Sequence, residues 1–215
     1  MNNKIVYPTL KDNVVTIIRN KIIKGELLPG SRIIESEIAK DLEISRGPIR
    51  EALRQIEHEG LIEYKSNKGC TVRTIDAKEV EDIYLIRAHL EMLAVDICDG
   101  KYKMETIQEM DSLLEEMDAS SKEREIYRLV ELDELFHTKI IKESGNERLY
   151  DVWSTFWSAN VVIFTSTYNL KLADSKDQRP AHERILNTIK IGDKEEIKNS
   201  IKRHYIRSAN PFKSI

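Results

Sequence analysis

The chain has 215 residues, enough for one large domain or two smaller ones that each bury a hydrophobic core. Its composition is that of an ordinary globular protein, with 33% charged residues and a net charge of −3, which excludes a chain that is basic throughout. No apolar run approaches the roughly 20 residues of a membrane-spanning helix, and the first residues lack the apolar segment of a secretory signal. We therefore expect a cytosolic protein without a membrane partner.

Charge is unevenly distributed along the chain. Residues 1–75 carry 13 basic and 10 acidic side chains, a net charge of +3, whereas residues 76–215 carry 21 and 27, a net charge of −6. The first third is thus the part suited to a polyanion such as DNA. The two cysteines, Cys70 and Cys98, have neither the spacing of a metal-binding pair nor that of a disulfide framework.

The first 75 residues predict a winged helix-turn-helix domain. Apolar periodicity and stop signals predict helices over 9–25, 35–42 and 46–60, the last with Ser45 as its N-cap and Pro48 in its first turn. Two β-rich runs separated by the turn sequence SNKG then predict a hairpin over 61–75. The order helix, helix, turn, helix and hairpin is that of a DNA-binding module.

The helix that begins at Arg46 is the one expected to enter a DNA major groove. Arg46 and Arg50 lie one turn apart, and each can bind guanine O6 and N7 or a phosphate. Most charged side chains are only a solvated helix face, but the ordered helix-turn-helix and wing favour DNA contact. The predicted DNA-binding residues are Ser36, Ser45, Arg46, Arg50, Lys68 and Gly69.

From residue 78 the pattern becomes entirely helical. We predict six helices, over 78–98, 104–119, 122–144, 146–168, 172–191 and 193–209, which form an antiparallel all-α bundle spanning residues 78–210. The expected fold class is therefore mainly α, with an N-terminal winged helix-turn-helix domain, a small β-hairpin wing and a C-terminal helical bundle.

Several polar residues of this second domain lie on otherwise apolar helix stripes. Asp133 and His137 share one face, and His182 and His204 lie on two other helices. A single histidine on such a stripe is usually a hydrogen-bonded core residue, and an i,i+4 Asp–His pair can be a local ion pair. One carboxylate and three imidazoles converging from three helices are, however, a familiar donor set for a divalent metal. Arg87 is similarly placed, with Glu91 one turn on.

The first domain resembles the DNA-binding domain of GntR-family bacterial transcription regulators. The resemblance covers residues 28–72 and rests on the runs ESEIA, SRGPIREAL and EGL and on the wing glycine. Residues 79–209 resemble the FCD domain, the helical effector domain of the FadR branch, through ELDELFH, SGN and AHERILNTIKIGD with RHY. A count of six helices suits the smaller, VanR-like subgroup of that branch.

The resemblance implies specific functions for these residues. Metal-binding FCD domains use one Asp and three His, and the matching positions here are Asp133, His137, His182 and His204. We expect zinc first, with nickel, manganese or iron as alternatives. A small carboxylate metabolite would complete the coordination and contact Arg87, and a homodimer would bind a double-stranded, pseudo-palindromic operator. A structural metal, a sensed metal and a metalloenzyme are the alternatives, in that order.

Overall fold

The computed structural model describes residues 9–65 and 69–214, and the chain divides into two compact units, Met1–Thr74 and Ile75–Ile215. The first unit is a winged helix-turn-helix domain, as predicted. Its elements are α1 Leu10–Ile23, α2 Glu35–Asp41, α3 Arg46–His58, β1 Ile62–Lys65 and β2 Gly69–Val72.

The core of the first unit lies between α1 and α3. Ile49, Ala52, Leu53 and Ile56 repeat at helical spacing on α3 and are fully buried, as the sequence pattern predicts for the last three. A capping box between Thr9 and Asp12 starts α1. The strands pair antiparallel with Ile62 opposite Val72, and a bridge from Arg32 to Thr71 ties the segment before α2 to the hairpin.

The second unit is a helical bundle. Its helices are α4 Ala77–Ile97, α5 Met104–Glu123, α6 Ile126–Glu143, α7 Glu147–Ser154, α8 Trp157–Asn169, α9 Gln178–Ile191 and α10 Lys194–Ala209. Short 3₁₀ turns over Ser175–Asp177 and Asn210–Ser214 precede α9 and follow α10. Within the described residues, none of the helices is both long and apolar enough to cross a membrane.

The predicted single helix over 146–168 is wrong, because the chain forms two helices there, α7 and α8. The Ser154 hydroxyl donates to the Asp151 carbonyl at 2.9 Å, and the Thr155 hydroxyl donates to the Val152 carbonyl at 2.7 Å. Such local side-chain bonds compete with the helical ladder, and the helix is interrupted after Ser154. The bundle therefore has seven α-helices in its described part, one more than predicted.

Two other predicted helix ends are displaced. The break expected between residues 119 and 122 lies later, because Ser120 and Ser121 are buried within α5 and the helix ends where Arg124 adopts a left-handed backbone at φ 56°. The helix expected from residue 172 begins only at Gln178. Pro180 lies in its first turn, where a missing N–H and a fixed φ are tolerated, whereas a Pro further inside would break the helix.

Helix packing in this bundle brings three segments together. α10 packs against both α4 and α9, and α6 packs against α4, α5 and α8. α6, α9 and α10 carry Asp133, His137, His182 and His204, and these four side chains come close to one another.

Candidate metal centre and DNA-reading helix

The predicted DNA-contacting residues of α3 lie on its solvent face. Arg46 and Arg50 are exposed, opposite the buried Ile49 and Leu53. Ser45 occupies the N-cap position as predicted, but its hydroxyl makes no capping hydrogen bond, so it is not committed to stabilising the helix. An exposed Ser45 side chain is free to reach a phosphate.

Arg50 is held by an acidic residue of the preceding helix. Its Nε donates to Glu35 on α2 at 2.8 Å, and its side chain remains 61% exposed. Because Nε is the atom engaged, the two terminal nitrogens of the guanidinium stay available for a bidentate contact. Glu35 therefore orients the arginine without consuming the atoms that would read a base.

The remaining predicted DNA contacts lie on α2 and at the wing. Ser36 is exposed in the first turn of α2. Gly69 begins β2 with φ +73°, a conformation that favours glycine, and an added Cβ would lie 3.6 Å from the Arg32 guanidinium. Lys68 lies outside the described residues.

The four predicted metal donors converge in the second unit. Asp133 and His137 project from α6, His182 from α9 and His204 from α10, and one donor atom from each lies within 4.8 Å of every other. Asp133, His137 and His182 are buried, and His204 is half-buried. No other group of three or more His, Cys, Asp or Glu with this proximity occurs in the part of the chain that the structure describes.

Hydrogen bonds fix the orientation of two imidazole rings. His137 Nδ1 lies 2.8 Å from the Glu91 carboxylate, and we assign the proton to Nδ1 because a carboxylate can only accept. Its Nε2 then carries a lone pair, and this buried atom has no hydrogen-bond partner among the described residues. A carboxylate behind a histidine is the arrangement that orients metal ligands in proteins.

His182 is oriented by the backbone of its own helix. Its Nδ1 lies 2.8 Å from the Gln178 carbonyl, and its Nε2 lies 3.0 Å from Asp133 Oδ1. Both contacts are hydrogen bonds only if the ring carries a proton on each nitrogen. A divalent cation bound between Nε2 and Asp133 would take the place of the second proton, so the pair is suited to metal binding.

The protonation tendencies of this cluster follow from burial and mutual charge. Burial raises the pKa of Asp133, but the hydrogen bond with His182 and the neighbouring histidines outweigh it and lower that pKa overall. Burial lowers the pKa of His204 well below its usual value, and the neighbouring His182 and His137 rings lower it further. An ionised aspartate and a neutral imidazole are the forms that a metal requires.

Glu91 is satisfied by side chains of three other helices. No salt bridge joins it to Arg87 among the described residues, and it accepts from His137, from Trp153 Nε1 at 3.1 Å and from the Tyr205 hydroxyl. The helical pattern places Arg87 and Glu91 one turn apart on α4. Only the packing of α4 against α6 and α10 shows which side chains of those helices each of them contacts.

Arg87 is enclosed in the bundle. It is fully buried, its Nη2 donates to Glu134 at 2.8 Å and its Nε donates to the Tyr205 hydroxyl at 3.2 Å. Its guanidinium also lies over the Trp153 ring, 4.3 Å from the centroid. Arg87 is not among the residues that line the cavity beside the metal donors, so its predicted effector contact remains a hypothesis.

A cavity of about 330 Å³ opens onto the candidate metal centre. Asp133, His137 and His204 line it, together with Asn160, which donates to Asp133 Oδ2 at 3.0 Å. The two tryptophans of the neighbouring helices do not line it: Trp153 packs in a core cluster with Ala94, Ile141 and Leu149, and Trp157 also lies outside the cavity lining. The volume suits a small metabolite.

The residues present fit a divalent metal ion. Four donors of the correct chemical types converge, one imidazole nitrogen is buried and unpartnered, and a carboxylate–histidine pair supports it from behind. Residues that sequence reasoning did not connect to the centre are Glu91 and Tyr205. A polar side chain on an apolar stripe indicates a buried hydrogen-bond partner. The sequence does not identify that partner, because it lies on another helix.

Comparison with known families assigns both units. Residues 82–207, more than half of the chain, match the FCD domain, and residues 10–72 match the family described as bacterial regulatory proteins, gntR family. The chain belongs to the GntR family and carries an FCD domain. The predicted family and fold class are confirmed.

Two relatives match this regulator over most of its length, and a third matches over about half. An uncharacterized HTH-type transcriptional regulator, YdhC of Bacillus subtilis, is 28% identical over 92% of this chain and 88% of its own. The Nta operon transcriptional regulator of Aminobacter aminovorans is 37% identical over 56% of this chain and 57% of its own. The structure of McbR/YncC from E. coli, 20% identical, covers 96% of this chain and 98% of its own with a TM-score of 0.67 and supports the fold.

These relatives are transcription regulators, and this chain is one as well. The metalloenzyme interpretation of the second unit is therefore set aside. The family gives the first unit its DNA-binding function and the second unit its character as an effector domain.

Proposed function

We propose that this regulator binds a pseudo-palindromic operator as a homodimer and that a small organic acid, bound at a divalent metal in the FCD domain, changes its affinity for DNA. The observation that carries this proposal is the convergence of Asp133, His137, His182 and His204 at the edge of a cavity of about 330 Å³. A metal held only for stability would need no such cavity beside it.

The four converging side chains would hold the ion, with zinc preferred and nickel, manganese or iron as alternatives. When bound, the metal supplies a Lewis-acidic position that a carboxylate can occupy. Glu91 keeps His137 in the tautomer that presents Nε2, and the Gln178 carbonyl does the same for His182. Asn160 holds the second oxygen of Asp133, which restricts the carboxylate to one orientation.

The acid would occupy the cavity beside these donors. Arg87, the predicted effector contact, would act indirectly, because it lies behind the cavity wall and pairs with Glu134. Asn160 also donates to Glu134 at 3.2 Å, so Arg87, Glu134 and Asn160 form a chain of contacts that ends at Asp133. Through this chain Arg87 would help to position a metal ligand.

The first helix of the bundle supports the proposed homodimer. α4 exposes Leu85, Ile86, Leu93 and Ile97 along its length, although these are large apolar side chains. Their spacing places them along one side of the helix. A second copy that covers this stripe would remove it from water, and two DNA-reading helices would then address two half-sites.

Metal content is the first measurement that tests the proposal. Elemental analysis of the full-length protein, purified without chelator, should find a divalent ion in the wild type and its loss in a His182→Ala, His204→Ala double variant. The second measurement is operator affinity by fluorescence anisotropy, with and without a panel of organic acids. Effector coupling in allosteric proteins typically changes affinity by about 5- to 150-fold.

The outcomes separate the proposal from its nearest alternative. An acid that shifts operator affinity only in the metal-loaded wild type supports a metabolite switch. If chelation destabilises the protein and no acid changes DNA affinity, the metal is structural. A wild type without metal under these conditions would contradict the centre itself.

A further inference from the structure

A group of arginines adjoins the candidate metal centre on one side. Arg184 projects from α9, and Arg203 and Arg207 project from α10. We refer to these three residues as the arginine cluster. They line a groove of about 280 Å³ between the two helices, and none of the residues described as lining this groove is acidic.

Two members of the arginine cluster face the metal-centre cavity as well as the groove. Arg184 and Arg207 line both spaces, and so does His204, one of the four metal donors. A ligand with one end at the donors can therefore reach a guanidinium within the same continuous lining. Arg203 lines only the groove.

The charges of Arg184 and Arg207 have no ion-pair partner among the described residues. In residues 9–65 and 69–214, no carboxylate lies within 4.0 Å of either guanidinium. By contrast, Arg179 on the same helix α9 pairs with Asp118 at 3.8 Å, and Arg203 pairs with Glu196 at 3.4 Å. The two arginines beside the metal donors thus remain available to an anion from solution.

The charge balance of the cavity lining points to the same kind of ligand. Its charged side chains are two carboxylates, Asp133 and Asp177, and two guanidiniums, Arg184 and Arg207. The two negative and two positive charges of these side chains cancel when no metal is present. A divalent ion bound among them therefore leaves an excess of positive charge. A ligand with two negative groups would compensate that excess, and guanidinium groups bind carboxylate and phosphate oxygens in pairs.

We propose that the effector is an acid with two separate anionic groups, which we call a dianion whatever the charge of each group, and that it binds the metal through one carboxylate and the guanidiniums of Arg184 and Arg207 through a second oxyanion group. This inference rests on the proposed function, because it specifies the chemical class of the metabolite at the same centre. The second group is either a carboxylate or a phosphate, since both offer the oxygen pair that a guanidinium recognises.

Matched pairs of acids test the second anionic group directly. Isothermal titration calorimetry with the metal-loaded, full-length protein would compare succinate with butyrate and 3-phosphoglycerate with glycerate. We expect at least one dianion to bind roughly tenfold more tightly than its monoanionic partner, a difference expected for one additional charge-assisted contact. The pair that shows the larger ratio identifies the second group as carboxylate or phosphate.

Substitution of the two arginines then locates the contact. An Arg184→Gln, Arg207→Gln double variant should lose the preference for dianions and retain the affinity of the wild type for the monoanions. Arg179→Gln is the matched control, because it removes a guanidinium from the same helix that lines neither the cavity nor the groove. The control should keep the wild-type ratio, and circular dichroism would verify that each variant is folded.

Each other outcome overturns a defined statement. Equal affinity for mono- and dianions in the wild type, or a dianion preference that survives the double substitution, would overturn the arginine assignment and leave the proposed function standing. A dianion that binds equally well after metal removal would show that the arginine cluster acts without the metal, which also contradicts the proposal. If no acid binds the metal-loaded protein, the proposed effector function itself fails.

Discussion

At the scale of single residues, the candidate centre depends on side chains that do not themselves face the ion. Glu91 is fully buried and accepts hydrogen bonds from three helices' side chains, His137, Trp153 and Tyr205. A buried carboxylate is costly unless it is satisfied in this way. Its position behind His137 is where a carboxylate would orient that ring for a metal ion.

Glu91→Gln should weaken metal binding by about 10- to 100-fold, a typical loss for a carboxylate behind a metal-bound histidine. The amide can still accept from His137 Nδ1, but it lacks the negative charge that makes the ring more basic. Competition with a chromophoric chelator measures the change. Glu183→Gln, an exposed carboxylate beside His182 in sequence, is the control. Unchanged affinity in Glu91→Gln would show that Glu91 only fills the core.

Arg50→Ala should weaken operator binding by about 1–3 kcal/mol, as expected for loss of a bidentate base contact. The fold should tolerate it, because the Arg50–Glu35 pair is largely exposed and solvent screening leaves such a pair little effect on stability. Fluorescence anisotropy with an operator selected in vitro gives the affinity. Arg54→Ala, one turn further along α3 and also exposed, should have a smaller effect. Equal losses in both variants would argue against base reading by Arg50.

At the scale of helices, local sequence determined most of the secondary structure. Apolar stripes and glycine stop signals predicted α1, α4 and α10 to within a few residues, because those signals act over a few turns of the chain. The helix ends near residues 119, 155 and 172 were predicted in the wrong place. Hydrogen bonds of serine and threonine side chains interrupt the helix near residue 155, and the position of Pro180 goes with the later start of α9. The apolar pattern alone does not reveal which of these local effects dominates.

The connection between α9 and α10 joins two helices that each carry a candidate metal donor. Gly192 adopts φ +80°, and Asp193 then caps α10 by accepting from the Glu196 N–H at 3.0 Å. Asp193→Ala should lower the free energy of unfolding by about 1 kcal/mol. Lys103→Ala, at an N-cap that makes no side-chain bond, should change it little. Denaturant unfolding compares the two, and equal costs would contradict the capping argument.

At the scale of the whole molecule, the apolar stripe on α4 bears on how two copies of the protein associate, because it is not part of the core of a single copy. Leu93 and Ile97 are 47% and 44% exposed, and no described residue of the chain covers them fully. A Leu93→Glu, Ile97→Glu double variant should therefore be monomeric by light scattering, since burying charges against a second copy is unfavourable. Its operator affinity should also fall, because one subunit engages only one half-site.

Val152→Glu provides the matched control for this prediction. Val152 is 53% exposed on α7, away from the α4 stripe in sequence, and its substitution also places a glutamate at an exposed apolar position, one where the double variant has two. It should leave the oligomeric state unchanged. A double variant on α4 that remains dimeric at micromolar concentration would place the dimer interface elsewhere.

The sequence by itself determined the two-part organisation, the winged helix-turn-helix fold, the helical bundle and the identities of the four converging donors. These features follow from short-range periodicity, caps and residue types that carry their chemistry at any position in the fold. Only the tertiary structure decided that Glu91 supports His137, that Arg87 pairs with Glu134, and that Arg184 and Arg207 border the cavity. Those partners lie on different helices, and the distance between them depends on packing, which no local pattern specifies.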